Sequence, residues 1–503
     1  HDFNFIKICK YADATKANFH RLTDQTIQDI DFNNLFIIVD RTTSKVGQQF
    51  LYKKLIEPSN ETANQIEELI ELFNSDVALR EQAQIELLKI SSNDAYHIVS
   101  LLGETFLKKP KWLNFLLINL LIIIFIIILS FIHKISLLLL LVSLTINMLI
   151  HIWNKNNTFH FAWSIPQLNL LIDVAENLVK KGGLLYDKSV EESIQKMRSF
   201  QRSARFIRFN EDGSQSDVGQ YLFDLIKAFL LIEVFMLFKV VRELKDKKSS
   251  IKIIFDYVGK VDTSISIASL RAGKLKTCRP NFLSSNKELF VKDIYHPQIK
   301  NCVKNSLAIS GKSILITGSN MSGKSTFLRT LMINSILAQT IYTCFAEEFI
   351  TPPLKQFSSI RIDDNLFEGK SYYFQEVSIM ASLIAEVEQS NQNLFILDEV
   401  FKGTNSVERI AAAKAILSYL NRYNNIVIVS THDIELAEML NSEYDLYHFT
   451  ETIEDGELHF DHQIKSGPLK TRNAIKLLEL ANYPEDIIRE ARQKTTTLRT
   501  SKI

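Results

Sequence analysis

Ser313-Ile314-Leu315-Ile316-Thr317-Gly318-Ser319-Asn320-Met321-Ser322-Gly323-Lys324-Ser325-Thr326 decides the fold of this chain. Its first five residues are an apolar, β-branched run that reads as a buried strand, and an amphipathic helical pattern follows Thr326. Between them stands G-x-x-x-x-G-K-S in the strand-to-helix setting that a phosphate-binding loop requires. Glycines let backbone N–H groups curl around phosphate oxygens at a helix N-terminus, where the dipole favours anions. Lys324 is placed to reach the β- and γ-phosphates, and Ser325 to offer its hydroxyl to magnesium. Gly318 to Thr326 are therefore the expected nucleotide-binding residues, with ATP and Mg2+ as the ligands.

Two further strands complete the pattern. Leu394-Phe395-Ile396-Leu397-Asp398-Glu399 ends in adjacent carboxylates. Asp398 is expected to support the metal and Glu399 to polarise the attacking water; the alternative is an acidic pair that caps a helix. Asn425 to Ser430 form a third strand, leading to Thr431-His432-Asp433, where His432 is the candidate sensor of the γ-phosphate or a structural histidine. After Pro280 short β-branched strands alternate with helices, the grammar of a largely parallel sheet. Before it the patterns are helical, with apolar stripes at Leu51, Leu55 and Ile56 and at Ile66, Leu69, Ile70 and Phe73, and breaks at Pro58-Ser59, Gly182-Gly183 and Asn210 to Gly213.

The chain has 503 residues, enough for two or three domains, and 58 Lys plus Arg against 57 Asp plus Glu. That balance excludes a global positive field for wrapping nucleic acid, so any DNA contact is local. Lys180-Lys181 and Arg202, Arg205 and Arg208 are the candidates, with a solvated helix face or an anionic-lipid contact as the preferred reading. Four cysteines, Cys9, Cys278, Cys302 and Cys344, show no C-x-x-C spacing, which speaks against a zinc site or a disulfide framework and for a reducing compartment. His1-Asp2-Phe3-Asn4 does not open a signal peptide, and the true start is expected upstream.

Leu113 to Ile132 and Ile135 to Trp153 are almost wholly apolar, each the length of a ~30 Å hydrocarbon layer. With Lys108, Lys109 and Lys111 before them and Lys155 after, they predict a membrane-spanning hairpin turning at His133-Lys134, with both flanks in the cytoplasm. The rival is a pair of buried helices. Tyr221 to Val241 carries Asp224, Lys227, Glu233 and Lys239, which favours a long soluble helix over a span.

The spacings resemble the MutS family of DNA mismatch repair ATPases. Thr317 to Thr326 is similar to that family's T-G-P-N-M-G-G-K-S-T, departing at Ser319 and Ser322, and Asn320-Met321 is the distinctive pair. Asp398-Glu399-Val400-Phe401-Lys402-Gly403-Thr404-Asn405 is similar to D-E-I-G-R-G-T-S, with Phe401 and Lys402 in place of Gly and Arg. Ser430 to Asp433 looks like its A-T-H segment, and Arg279-Pro280 with Tyr295-His296-Pro297 like the entry to its ATPase domain. Ser359 to Asp363 and Glu368 to Glu376 resemble its signature stretch. The resemblance implies a homodimer through the ATPase domains, in which the serine matching Ser371 completes the nucleotide site of the other subunit; Tyr372 departs from the usual Thr. Asp40 to Gly47 with Leu55 to Pro58 resemble the start of the family's core domain, and Gly467-Pro468 through Ala491 its C-terminal helices.

The expected architecture is an α/β P-loop NTPase domain of mostly parallel sheet over 285–503. An all-α lever or core domain precedes it, in a helical part over 1–107, a transmembrane hairpin over 108–155 and a helical lever over 156–284. There is little room before Asn33 for mismatch-reading and connector domains, and no F-x-E wedge stands in a suitable context, so base readout by an inserted aromatic is not expected. The leading expectation is a membrane-anchored, ATP-hydrolysing dimer that moves helical levers. Its rivals are a DNA-binding mismatch repair factor, an ABC-type transporter subunit and an ATP-switched membrane scaffold.

Overall fold

The computed structural model describes residues 3–15, 17–60, 64–103, 113–133, 136–204, 242–283, 287–319, 321–361, 372–387, 392–401, 405–454, 457–469 and 483–500. Asn320, Ser371, Arg205, Arg208 and the 221–241 stretch lie outside them. The chain divides into two compact units, one of residues 1–16, 39–54 and 63–272, the other of 17–38, 55–62 and 273–503.

The first unit is helical and is organised on the 24-residue helix Lys248–Arg271, most of whose side chains are buried. Helix Asn64–Ser75 packs on it through Leu69, Ile70 and Phe73, and Arg271 pairs with Glu67 where the two helices meet. Asp262 is fully buried and accepts bonds from the Thr43 and Ser44 backbone N–H groups at 2.9 and 2.7 Å and from the Ser44 hydroxyl at 2.6 Å. Burial still raises its pKa to about 6, because three donors only partly replace water around a carboxylate. Gly47 is required beside it: a Cβ there would stand 2.1 Å from Asp262 Oδ2.

The two apolar runs form helices Leu113–Ser130 and Ser136–Val179, and this overturns the expected membrane localisation. Among the described residues no helix is long and apolar enough to cross a membrane. The first helix has 18 residues, a rise of about 27 Å. The second run is no separate span but the opening of one continuous 44-residue helix, whose sequence turns polar at Asn154-Lys155-Asn156-Asn157. The helices meet through polar side chains: Asn119 donates to Asn147 at 2.5 Å, and Ser143 donates to Asn119 at 3.3 Å. Ile118, Leu121, Phe125 and Ile128 remain exposed on the first helix. The expected membrane-spanning hairpin, and the lipid partner expected with it, find no support in the described helices.

The second unit holds the strands: β1 (Asn281–Phe282), β2 (Glu288–Ile294), β3 (Asn305–Ser310), β4 (Ser313–Thr317), β5 (Glu348–Thr351), β6 (Lys355–Ser359), β7 (Asn393–Asp398), β8 (Ile426–Thr431), β9 (Tyr444–His448), β10 (Glu451–Glu454), β11 (Glu457–Phe460) and β12 (Lys465–Ser466). Its main sheet has the order β12-β9-β4-β8-β7-β6. The pairings from β9 through β6 are parallel, and β12 adds an antiparallel edge. β4, β6 and β8 are buried along their whole length, the continuous burial that a parallel sheet imposes when both faces are covered. A smaller sheet, β1-β5-β2-β3, alternates buried and exposed positions along β3 as a one-sided sheet does.

Residues 17–38 belong to this unit, although they lie far upstream of its strands. His20 Nε2 meets the Gln356 carbonyl at 2.9 Å, and its ring sits edge-on to Phe357. Asp29, at the end of helix Asp24–Asp29, accepts from Gln25 Nε2 (2.9 Å), Ser358 Oγ (2.6 Å), Ile360 N (2.9 Å) and Arg361 N (2.8 Å). One buried carboxylate thereby fixes the carboxyl end of β6.

Candidate nucleotide site

Thr317, Asp398 and Thr431 close β4, β7 and β8 at one edge of the sheet, with Thr317 in register with Thr431 and Asp398 with Ser430. Loops leaving the carboxyl ends of parallel strands converge there, which is where such sheets bind ligands. The loop after β4 turns through Gly318 at φ 157°, Met321 at φ 74° and Gly323 at φ 108° before helix Lys324–Thr340 begins. Gly323 is the N-cap and provides no side chain to bond the first-turn N–H groups. The helix terminus is open to an anion.

Lys324 is 5% exposed and folds back over its own loop, donating to the Gly318 and Ser319 carbonyls at 2.8 and 2.7 Å. Ser325 donates its hydroxyl to Asp398 Oδ2 at 2.5 Å, and Ser430 donates to Oδ1 of the same carboxylate. The Ser322 hydroxyl bonds the Ser319 carbonyl at 2.8 Å, so this departure from the family pattern serves the loop itself. Ser319, the other departure, donates to Glu451 on β10 at 2.6 Å and ties the loop to the β10–β11 hairpin.

Glu399 takes a left-handed backbone, φ 59°, held by its N–H to the Ser430 carbonyl at 3.0 Å. His432 Nδ1 lies 3.2 Å from Glu399 Oε1, and His432 Nε2 lies 3.7 Å from Asp433 Oδ1, which also accepts from Arg409 at 2.8 Å. The bond to Glu399 holds the His432 pKa above its ordinary value, against the cost of burial. Phe401 has φ 61° and is buried, tilted against Tyr373 at 5.7 Å between ring centroids. A glycine takes that conformation without the strain a Cβ brings, which gives the glycine of the resembling motif a physical reason; here packing of the ring offsets the strain.

These residues open on a cavity of about 570 Å3, in the range of nucleotide-sized sites. Ser319, Met321, Gly323, Lys324, Ser325, Thr326, Asp398 and Glu399 line it. Gly318, Ser322 and His432 stand behind that lining, in the loop and next to Glu399. The opposite wall, Ile294, Ile299, Val303 and His462 among others, carried no signal in the sequence. His462 Nδ1 lies 3.1 Å from the Ser322 carbonyl, and its ring stacks on Phe460 at 5.9 Å. Its 140-position separation from Ser322 hides that contact from any local pattern. Hydroxyl and carboxylate oxygens side by side at Ser325 and Asp398 fit magnesium, which takes one or two carboxylates with phosphate oxygens and water.

The fold and site define a P-loop domain of the ATPase type. Residues 314–499 match the family model of MutS domain V. MutS proteins are ATPases, and domain V carries their ATPase region. The chain is similar to the DNA mismatch repair protein MutS of Thermus thermophilus, 31% identical over 218 residues, 42% of this chain and 26% of that protein. It is 34% identical over 226 residues to MutS of Lactobacillus delbrueckii, again 42% and 26% of the two chains. To MutS of Listeria monocytogenes it is 32% identical over 272 residues, 51% of this chain and 31% of the relative. The matches thus span about a quarter to a third of the length of these relatives.

Proposed function

We propose that this chain binds and hydrolyses ATP with magnesium at the carboxyl edge of its parallel sheet. The observation that carries this reading is the convergence of three segments: Lys324 and Ser325 at the open helix terminus, Asp398 bonded to Ser325 with Glu399 next to it, and His432 paired with Glu399. Lys324 and the loop N–H groups hold the phosphates, while Ser325 and Asp398 hold the magnesium, which would neutralise phosphate charge there. Glu399 accepts the proton of the attacking water. His432, within reach of Glu399, keeps that carboxylate oriented and responds to the γ-phosphate side of the site. The experiment is magnesium-dependent phosphate release by the full chain and by Glu399→Gln. A fall of about 100-fold or more supports the base role, and equal rates remove it.

We further propose that the chain works as a homodimer through its ATPase domains, each site completed by Ser371 of the other copy. The match to MutS domain V and the signature-like sequence support this; a dimer that forms with ATP in Glu399→Gln and weakens in Ser371→Ala tests it. DNA is the second proposed partner, supported by the mismatch repair function that the relatives' names give. Binding of duplex DNA that weakens steeply between 50 and 200 mM salt supports phosphate contacts; tighter binding to a mismatch makes the chain a repair factor proper.

A further inference from the structure

Cys278 and Cys344 show no relation in the sequence, yet they face each other across an isolated antiparallel bridge ahead of β1 and β5. Each backbone N–H donates to the other's carbonyl at 2.9 Å. That mutual exchange marks a directly opposed, hydrogen-bonded pair, whose Cα atoms stand about 5.5 Å apart. Disulfides span Cα separations of about 4.4–6.8 Å, so the backbone is already in place. The Cβ atoms of such a pair lie about 4.5–5.5 Å apart, at or beyond the ~4.5 Å upper end that a disulfide prefers. The bond can close with a small local approach, and it closes under strain.

Access to the two sulfurs differs. Cys278 is partly exposed, whereas Cys344 is fully buried, its thiol donating to the Asn334 carbonyl of the P-loop helix at 3.6 Å. We propose that Cys278 and Cys344 form a reversible dithiol–disulfide site, oxidised by a hydroperoxide at Cys278 and resolved by Cys344. The Cys278 thiolate attacks the peroxide; the O–O bond breaks, leaving a sulfenic acid, and the departing alkoxide or hydroxide takes up a proton. The Cys344 sulfur then attacks the sulfenic sulfur, its proton leaves with the hydroxyl as water, and the S–S bond forms. Two thiols and one hydroperoxide yield one disulfide, one alcohol or water, and one water. Contact with the Cys344 thiol lowers the Cys278 pKa from its ordinary value, against burial, which favours the reactive form at the accessible sulfur. Strain makes the product readily reducible, a switchable bond and no permanent staple.

The test uses the full chain in native buffer, titrated with hydrogen peroxide and followed by thiol counting and peptide mass spectrometry without reduction. Of the four thiols, two are expected to vanish together, with a Cys278–Cys344 linked peptide that millimolar glutathione reopens. Cys344→Ser should stop the cross-link and leave a dimedone-reactive sulfenic acid at Cys278, while Cys302→Ser should leave the cross-link intact. The readout is independent of ATP turnover, so it stands or falls apart from the proposed activity. Oxidation of Cys278 to a sulfinic acid without the linked peptide in the unsubstituted chain, or a linked peptide only after unfolding in urea, would overturn the proposal.

Discussion

Replacing Asp29 by alanine removes the acceptor for four donors at the carboxyl end of β6. Gln25 and Ser358 can turn toward other partners, but the Ile360 and Arg361 N–H groups cannot. An orphaned buried donor costs about 1–3 kcal/mol, so the pair costs roughly 4 kcal/mol. Part is regained, because burial raises the Asp29 pKa and its ionised form is held at a desolvation cost that alanine lacks. The net loss is about 3 kcal/mol, and in a unit of about 260 residues this lowers the melting midpoint by roughly 6 °C. Differential scanning calorimetry measures it, with Gln25→Ala as a control expected to move the midpoint by about 1–2 °C. An Asp29→Ala midpoint within 1 °C of the parent would refute the assignment of Asp29 as the residue that fixes this strand end.

Gly47→Ala forces the Asp262 carboxylate out of its three bonds and should destabilise the helical unit by about 4 kcal/mol, as urea unfolding will show. His20 and His296 are buried and held near pKa 4, below the ordinary 6.5, by desolvation. Their contribution to stability is whole above pH 6.5 and is lost as pH falls from there toward 4, about 3 kcal/mol for each, which urea unfolding across that range will follow. The His432 pKa is raised by Glu399, so Glu399→Gln should lower it, as read by NMR titration of the ring protons. The stability from that pair is present below pH 6.5 and fades as pH rises through the folded value; an unmoved titration would break the assigned contact.

The P-loop strand, the two strands ending at Asp398 and Thr431, and the loop residues that line the cavity were legible because each lies within a short run whose pattern is local. The sequence also carried the resemblance to MutS domain V through Asn320-Met321 and the acidic strand end. Residues 17–38 were illegible as part of the ATPase-type unit, since Asp29 reaches residues 329 to 332 positions away. His462, Glu451 and the Cys278–Cys344 pair were hidden for the same reason: long-range packing sets their positions, and no spacing encodes it. The apolar runs misled differently. Their composition fits a membrane, but continuity of helix Ser136–Val179 and the Asn119–Asn147 contact depend on three-dimensional pairing.

The central claim rests on Lys324, Ser325, Asp398 and Glu399 acting as one site. Magnesium-dependent ATP turnover of the full chain, measured beside ATP binding for Glu399→Gln and Lys324→Ala, tests it most directly. The account predicts that Glu399→Gln binds ATP yet loses about 100-fold or more in turnover, and that Lys324→Ala loses binding. Turnover unchanged in both variants would contradict it.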